Sequence, residues 1–267
     1  MSDLGWKEGM ANWVPLSQLS EFAPEPMPPL PAEVPPVEGA EEAGVAQTKA
    51  GGLPWDYRSQ NGYLASFIQT VRMVLTQPSE AFARMRVDGS LFSPLVYCVI
   101  GGWLGMVVTG IYAVITARTQ PMPGDLTPLQ ARFYPTPAMA MTALQIFIFL
   151  GPVIAMAIAL ISSFIAHLFL MLAGGANKPF HVTLRVFAFS YGSTELLKLL
   201  PACGSPLAMV WLMVCCVVGL AVAHQTTTRR SVAAMLLFVL ACFMCCMGFL
   251  FLFAAMSYDA LRPMLNR

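Results

Sequence analysis

The chain has 267 residues, of which 57% are hydrophobic and 11% charged, with a formal net charge of +1 and a mean hydropathy of +0.66. Soluble domains carry about 25% charged residues, so charge this scarce excludes a water-facing surface over much of the chain, and the near-neutral balance without a basic stripe argues against a nucleic-acid partner. The deficit is concentrated: between Leu126 and Tyr258 the acidic residue is Glu195, and the basic residues are Arg132, Lys178, Arg185, Lys198, Arg229 and Arg230. A surface facing lipid needs no more than that.

In chain order, residues 1–21 are short and mixed. Residues 22–52 are rich in proline, and their acids Glu25, Glu33, Glu38, Glu41 and Glu42 outnumber a single late lysine. Such a stretch buries too little apolar surface to offset chain entropy, so it is expected to be a disordered linker with polyproline II character. Its P-x-x-P spacings at Pro26–Pro29 and Pro28–Pro31 fit either a spacer or a ligand for a proline-recognising domain. No apolar run follows a basic start, so the N-terminus is expected to stay in the cytoplasm, with the first span acting as an uncleaved signal.

Residues 53–90 predict two short amphipathic helices. Leu64, Phe67, Ile68, Val71, Val74 and Leu75 recur at helical spacing, with Gln69, Thr70 and Arg72 on the other face. Pro78 ends the first helix, and Ser79 is placed to cap the second, which sets Phe82 and Met85 on one side. Both are expected at the membrane. Either their apolar faces lie in the headgroup region with Arg72, Arg84 and Arg86 toward anionic lipid, or they pack on the cytoplasmic ends of the spans.

Residues 91–257 hold the spans, at about 94–116, 138–173, 182–200, 206–223 and 231–256, with a short tail at 258–267. A stretch of about 20 apolar residues crosses about 30 Å of hydrocarbon. The second is longer than that and reads as one helix kinked near Gly151–Pro152. The third carries Arg185, Glu195 and Lys198, and the positive-inside rule accepts both four and five crossings. The fold class is therefore all-α: a transmembrane helix bundle preceded by interfacial helices and a Pro/Glu-rich tail.

Several segments, in this order, resemble the Yip family, the Ypt/Rab-interacting integral membrane proteins, in its bacterial form. They are PWDYRSQNGYLASFIQTVRMVLTQPSEAFARM with Trp55, HLFLMLAGG with His167, Gly174 and Gly175, FHVTLRVFAFSYGSTELLKLLPACG with Tyr191 and the Pro201–Gly204 exit, and WLMVCCVVGLAVAHQTTTRRSVAA with His224. The resemblance covers roughly residues 53–256. It implies five spans, a cytoplasmic N-terminus, a far-side C-terminus and, for a bacterial chain, the inner membrane. Eukaryotic relatives act in vesicle traffic and bind prenylated Rab-type GTPases. Their D-L-Y-G-P motif is absent here, with Pro54–Asp56 standing in its place, so GTPase binding is not carried over. Separately, LGWKEGMANWVPLSQLSEF in residues 1–21 resembles the end of a bacterial GYF-like domain, a protein-interaction module, on Trp6, Glu8, Gly9, Met10 and Trp13.

The site candidates are Trp55, His167, Gly174, Gly175, Tyr191, Glu195, Lys198, Pro201 and His224. Glu195 and Lys198, three apart on a helix, can pair. They suit either an intramembrane relay or a surface pair with Lys198 snorkelling to the interface. His167 and His224, both near cytoplasmic ends of spans, can form a polar cluster with Ser163 or Tyr191, able to hold a headgroup or a metal, or can simply hydrogen-bond between helices. Of seven cysteines, Cys215 and Cys216 match Cys242 and Cys245 in depth, as small packing residues or as soft-metal ligands. Gly101-x-x-x-Gly105 predicts close helix packing or dimerisation. No H-E-x-x-H, G-x-S-x-G, Walker A loop or dinucleotide fingerprint occurs.

Hence no catalytic residue, cofactor or metal is assigned. The expected role is a non-catalytic membrane organiser or adaptor, with membrane lipid, a protein partner engaged by the N-terminal region, and self-association as its contacts. The alternative is a small transporter or lipid-handling protein using Glu195, Lys198, His167 and His224.

Overall fold

The computed structural model describes residues 4–5, 14–15, 51–120, 123–124 and 134–265, with side chains as far as residue 252. The Pro/Glu-rich linker up to residue 50, most of the GYF-like segment and the tail at 258–267 lie outside the residues or side chains described. The chain divides into two units, Met1–Thr48 and Lys49–Arg267. In the first, Leu4–Gly5 and Val14–Pro15 form a two-residue antiparallel pair.

The second unit is helical. A 3-10 turn Pro54–Tyr57 and a single helical turn Arg58–Asn61 lead into α1 (Tyr63–Thr76), α2 (Pro78–Arg84), α3 (Phe92–Thr119), α4 (Pro137–Leu172) and α5 (Phe180–Thr194). A 3-10 turn Glu195–Leu199 extends α5, followed by α6 (Gly204–Ala223) and α7 (Thr228–Leu265). Prolines set several starts: Pro78 and Pro137 sit in first turns, where the missing N–H has no partner to lose. The N-cap of α2 is Gln77, not Ser79, because Pro78 already fixes the first helical position. Thr136 caps α4, its Oγ1 accepting from the Met139 N–H at 3.2 Å.

Among the described residues four helices, α3, α4, α6 and α7, are long and apolar enough to cross a membrane. The expected third span is shorter and more polar: α5 has 15 residues before it tightens into the 3-10 turn. Yet α5 is the centre of the bundle. Every residue from Val182 to Thr194 is buried, and α1, α3, α4 and α6 pack around it. Its contact with α3 is the closest. A Cβ added at Gly101 would lie 1.9 Å from the Gly192 carbonyl oxygen, and one at Gly105 would lie 2.5 Å from Glu195 Oε2. The Gly101–Gly105 pair thus serves packing inside the chain, and this face is not open for dimerisation.

α4 runs unbroken through Pro152 for 36 residues, about 54 Å at 1.5 Å per residue. Pro152 has no N–H for the Ile148 carbonyl one turn back. The Trp103 indole N–H takes that place, donating to Phe147 O at 3.1 Å and Ile148 O at 3.2 Å. Gly151 makes room for it, since a Cβ there would meet Trp103 Cδ1 at 2.6 Å. In lipid, where water cannot satisfy a freed carbonyl, such a donor matters.

The apolar stripe expected on α1 is split. Phe67 and Val74 are buried, whereas Leu64 and Ile68 are exposed. Thr70, expected on the polar face, is buried with Ser66. Its Oγ1 accepts from the Trp55 N–H and donates to Ser66 O, both at 2.8 Å, so its polarity is consumed locally. The last-turn carbonyls of α1 are met from α6: Trp211 Nε1 donates to Leu75 O at 3.0 Å, and the Cys215 thiol lies 3.6 Å from Val74 O. In and just after α2, Ala81, Phe82 and Met85 are buried against the bundle, so α2 keeps no apolar face for lipid.

Candidate functional site

Polar groups gather at three places along α5. At its start, His167 Nδ1 and His224 Nε2 each lie 2.8 Å from Thr183 Oγ1, and the Lys178 backbone N–H donates to His224 Nδ1 at 3.2 Å. Because His224 Nδ1 accepts, its Nε2 carries the proton and donates to Thr183. The histidines do approach, with ring centroids 5.8 Å apart. Their bridge is Thr183, not Ser163, which donates to Leu160 O, nor Tyr191, which lies two helical turns away. The sequence offered no cue for Thr183, a plain threonine two residues after His181. Burial pushes the His224 imidazole down to about 4, with the neighbouring His167 and Lys178 acting the same way.

Two matching helix ends frame this cluster. At the end of α4 the Gly174 N–H donates to Met171 O and the Gly175 N–H to Leu170 O, with Gly174 at φ 65°. At the end of α6 the Gln225 N–H donates to Val222 O and the Thr226 N–H to Ala221 O, with Gln225 at φ 52°. Both are Schellman ends. Gly174 and Gly175 are therefore chain-reversal residues. The first supplies the left-handed conformation, and the second fits under Thr226 and Arg230, which a Cβ would approach to 3.2 and 3.3 Å.

In the middle, Arg185 is only 2% exposed. Its guanidinium donates to the carbonyls of Arg86, Asp88, Gly89 and Ser90, at 3.0, 3.3, 2.6 and 3.1 Å. Gly89, at φ 109°, lets that loop curl its carbonyls onto one cation. Beside it an aromatic stack closes the entry segment. Trp55 is buried edge-on against Phe67 and Tyr97, its indole N–H donating to Ser93 O at 2.9 Å, and the Arg58 guanidinium lies 4.9 Å from its ring centre. Tyr97 meets Ser193 on α5, oxygen to oxygen at 2.7 Å. Tyr191 faces Gly102, where a Cβ would come within 2.6 Å of its ring. Arg185 read in the sequence only as a charge in a doubtful span; the loop that receives it bears no motif.

At the far end Lys198 Nζ donates to Glu195 Oε2 at 2.7 Å, with Glu195 buried and Lys198 partly so. A small pocket lined by Leu104, Gly105, Val108, Glu195, Leu196 and Leu199 adjoins the pair. Pro201 is exposed in the turn that follows, with Ala202 at φ 64°. Cys215 and Cys216 are buried while Cys242, Cys245 and Cys246 are exposed, so the two sets do not converge. Among the described residues no group of three His, Cys, Asp or Glu side chains is placed to hold a metal.

A core this rich in hydrogen-bonded polar groups, inside helices this long and apolar, defines an integral, multi-pass helical membrane protein. The Yip1 domain model matches residues 72–250, two-thirds of the chain, and takes in α2 to α6, the end of α1, most of α7, and both the histidine bridge and the Glu195–Lys198 pair. The chain belongs to the Yip family. No curated protein and no solved structure matches it.

Proposed function

We propose that the chain is a non-catalytic membrane organiser. In this reading it is an adaptor that holds its N-terminal region on the cytoplasmic side of a bacterial inner membrane for protein partners, and α5 with its 3-10 turn is the fifth crossing. The observation that carries this reading is that four ionisable groups on and beside α5, namely Glu195, His167, His224 and Arg185, are held by their own chain. Glu195 is held by Lys198, the two histidines by Thr183, and Arg185 by four carbonyls. A conduit needs such groups free to exchange partners; a scaffold needs them fixed. The Trp55 lock supports the same reading, because it ties the chain to the bundle directly after the linker and so fixes where the N-terminal region emerges.

The test is affinity purification from native membranes of the full-length chain and of a form lacking residues 1–52, with proteins and lipids identified by mass spectrometry. Proteins retained by the full-length form alone are the expected result. If neither form retains a protein and Glu195→Gln abolishes the cellular phenotype, the adaptor reading fails and transport along α5 replaces it.

A further inference from the structure

The surface of α1 divides into three ribs. At about 100° per residue, Leu64, Ile68, Val71 and Leu75 share one sector about 60° wide, and Ala65, Gln69, Arg72 and Thr76 share another of similar width. The remaining sector, with Ser66, Phe67, Thr70 and Val74, is buried on the bundle. Leu64 and Ile68 are 72% and 56% exposed. Ala65, Gln69, Arg72 and Thr76 are exposed as well. With its back to the protein, α1 therefore turns an apolar edge one way and a polar, cationic edge the other. That is the pattern of a helix lying at a lipid–water boundary.

The depth of this boundary is the unexpected part. α1 meets α6 at Trp211 and Cys215, 12 and 8 residues before the end of α6 at Ala223, distances of about 18 and 12 Å. The ends of α4 and α6 lie against each other, since a Cβ at Gly175 would come 3.2 Å from Thr226 Oγ1. On the α4 flank, exposed Phe164, Leu168 and Leu172 carry an apolar surface all the way to that end. A polar edge on one flank thus lies deep beside an apolar surface on another, and one flat bilayer cannot solvate both. Lipid resolves such a mismatch by thinning locally.

We propose that the α1 flank binds a drawn-in patch of one leaflet, with anionic phospholipid headgroups against Arg72 and Gln69 and acyl chains against Leu64 and Ile68. The inference rests on the membrane placement of the bundle and not on any protein partner, so it stands or falls apart from the adaptor reading. It is tested on the full-length chain in liposomes of phosphatidylcholine and phosphatidylglycerol, with p-benzoylphenylalanine replacing Ile68, Gln69 or Leu168 one at a time. Replacement of Leu64, also exposed on the same edge, serves if the Ile68 variant does not assemble. Photolysis is expected to join Ile68 and Leu168 positions to acyl chains, and the Gln69 position to give at least fivefold fewer acyl adducts than Leu168. The adducts that do form at Gln69 are expected to be enriched about twofold in phosphatidylglycerol over the bulk, an enrichment lost in Arg72→Gln. Equal acyl labelling at Gln69 and Leu168 would mean a flat bilayer and overturn the proposal, as would an Ile68 position that captures no lipid. Adducts at Gln69 that follow bulk composition would overturn the anionic assignment.

Discussion

Helices α4 and α5 lie side by side and obey different rules. α4 is apolar over most of its length and leaves much of it exposed; α5 carries Thr183, Arg185, Ser190, Ser193 and Thr194 and is buried from Val182 onward. The contrast shows what each helix touches. α4 faces lipid, which accepts any large apolar side chain. α5 faces other helices and the loop at residues 86–90, and there small and polar residues give close approach and hydrogen bonds within the protein.

If that contrast holds, substitutions should hurt in proportion to how closely they approach α5. The largest effect is expected from Gly101→Ala, whose methyl would press on the Gly192 backbone, a contact with no flexible side chain to give way. A loss on the order of 3 kcal/mol is expected, read as a collapse of the monodisperse peak in detergent after mild heating. Arg185→Lys comes next. An ammonium keeps the charge but cannot span four carbonyls, and a loss of about 2 kcal/mol is expected in the same assay.

A smaller, pH-dependent effect belongs to His224. Its imidazole is held near 4 in the folded chain by burial, against about 6.5 when unfolded. Between those values the unfolded state binds the extra proton, so stability should be full above about pH 6.5, fall as the pH is lowered toward 4, and level off below that. His224→Gln should flatten this part of the profile of thermal midpoint against pH. The smallest effect is expected on α4: Phe149, 78% exposed, should tolerate Phe149→Leu within about 0.5 kcal/mol in the detergent assay. A loss as large as that of Arg185→Lys would mean that a protein, not lipid, covers this flank.

The sequence shows the apolar helices well, because length and hydropathy are properties of a single segment. α3, α4 and α6 begin and end within about three residues of the expected helices, whereas α7 runs on to Leu265, well past the expected end at 256, and the paired start of α4 at Thr136–Pro137 shows only in the cap. What depends on partners was hidden. Thr70 reads as solvent-facing until Trp55 folds back on it. Arg185 reads as an obstacle to crossing until the loop at residues 86–90 supplies its carbonyls. The pairing of Glu195 with Lys198 was visible from their spacing, since both partners lie on one turn. The approach of His167 to His224 was visible from their places near helix ends, while the Thr183 that bridges them was not. The Gly101–Gly105 spacing announced a close contact without saying whether its partner was α5 or another copy.

In the proposed topology the polar helix α5 crosses the membrane inside its apolar neighbours, and the turn between α5 and α6 carries a native reporter. Cys203 is exposed there, while Cys98, Cys215 and Cys216 are buried and Cys242, Cys245 and Cys246 lie along the apolar α7. A membrane-impermeant maleimide applied to intact cells is expected to label Cys203 from the side opposite the N-terminus, with the label lost in Cys203→Ser. Labelling that appears only after the cells are opened would mean that α5 and α6 enter and leave on the same side, and would contradict the account.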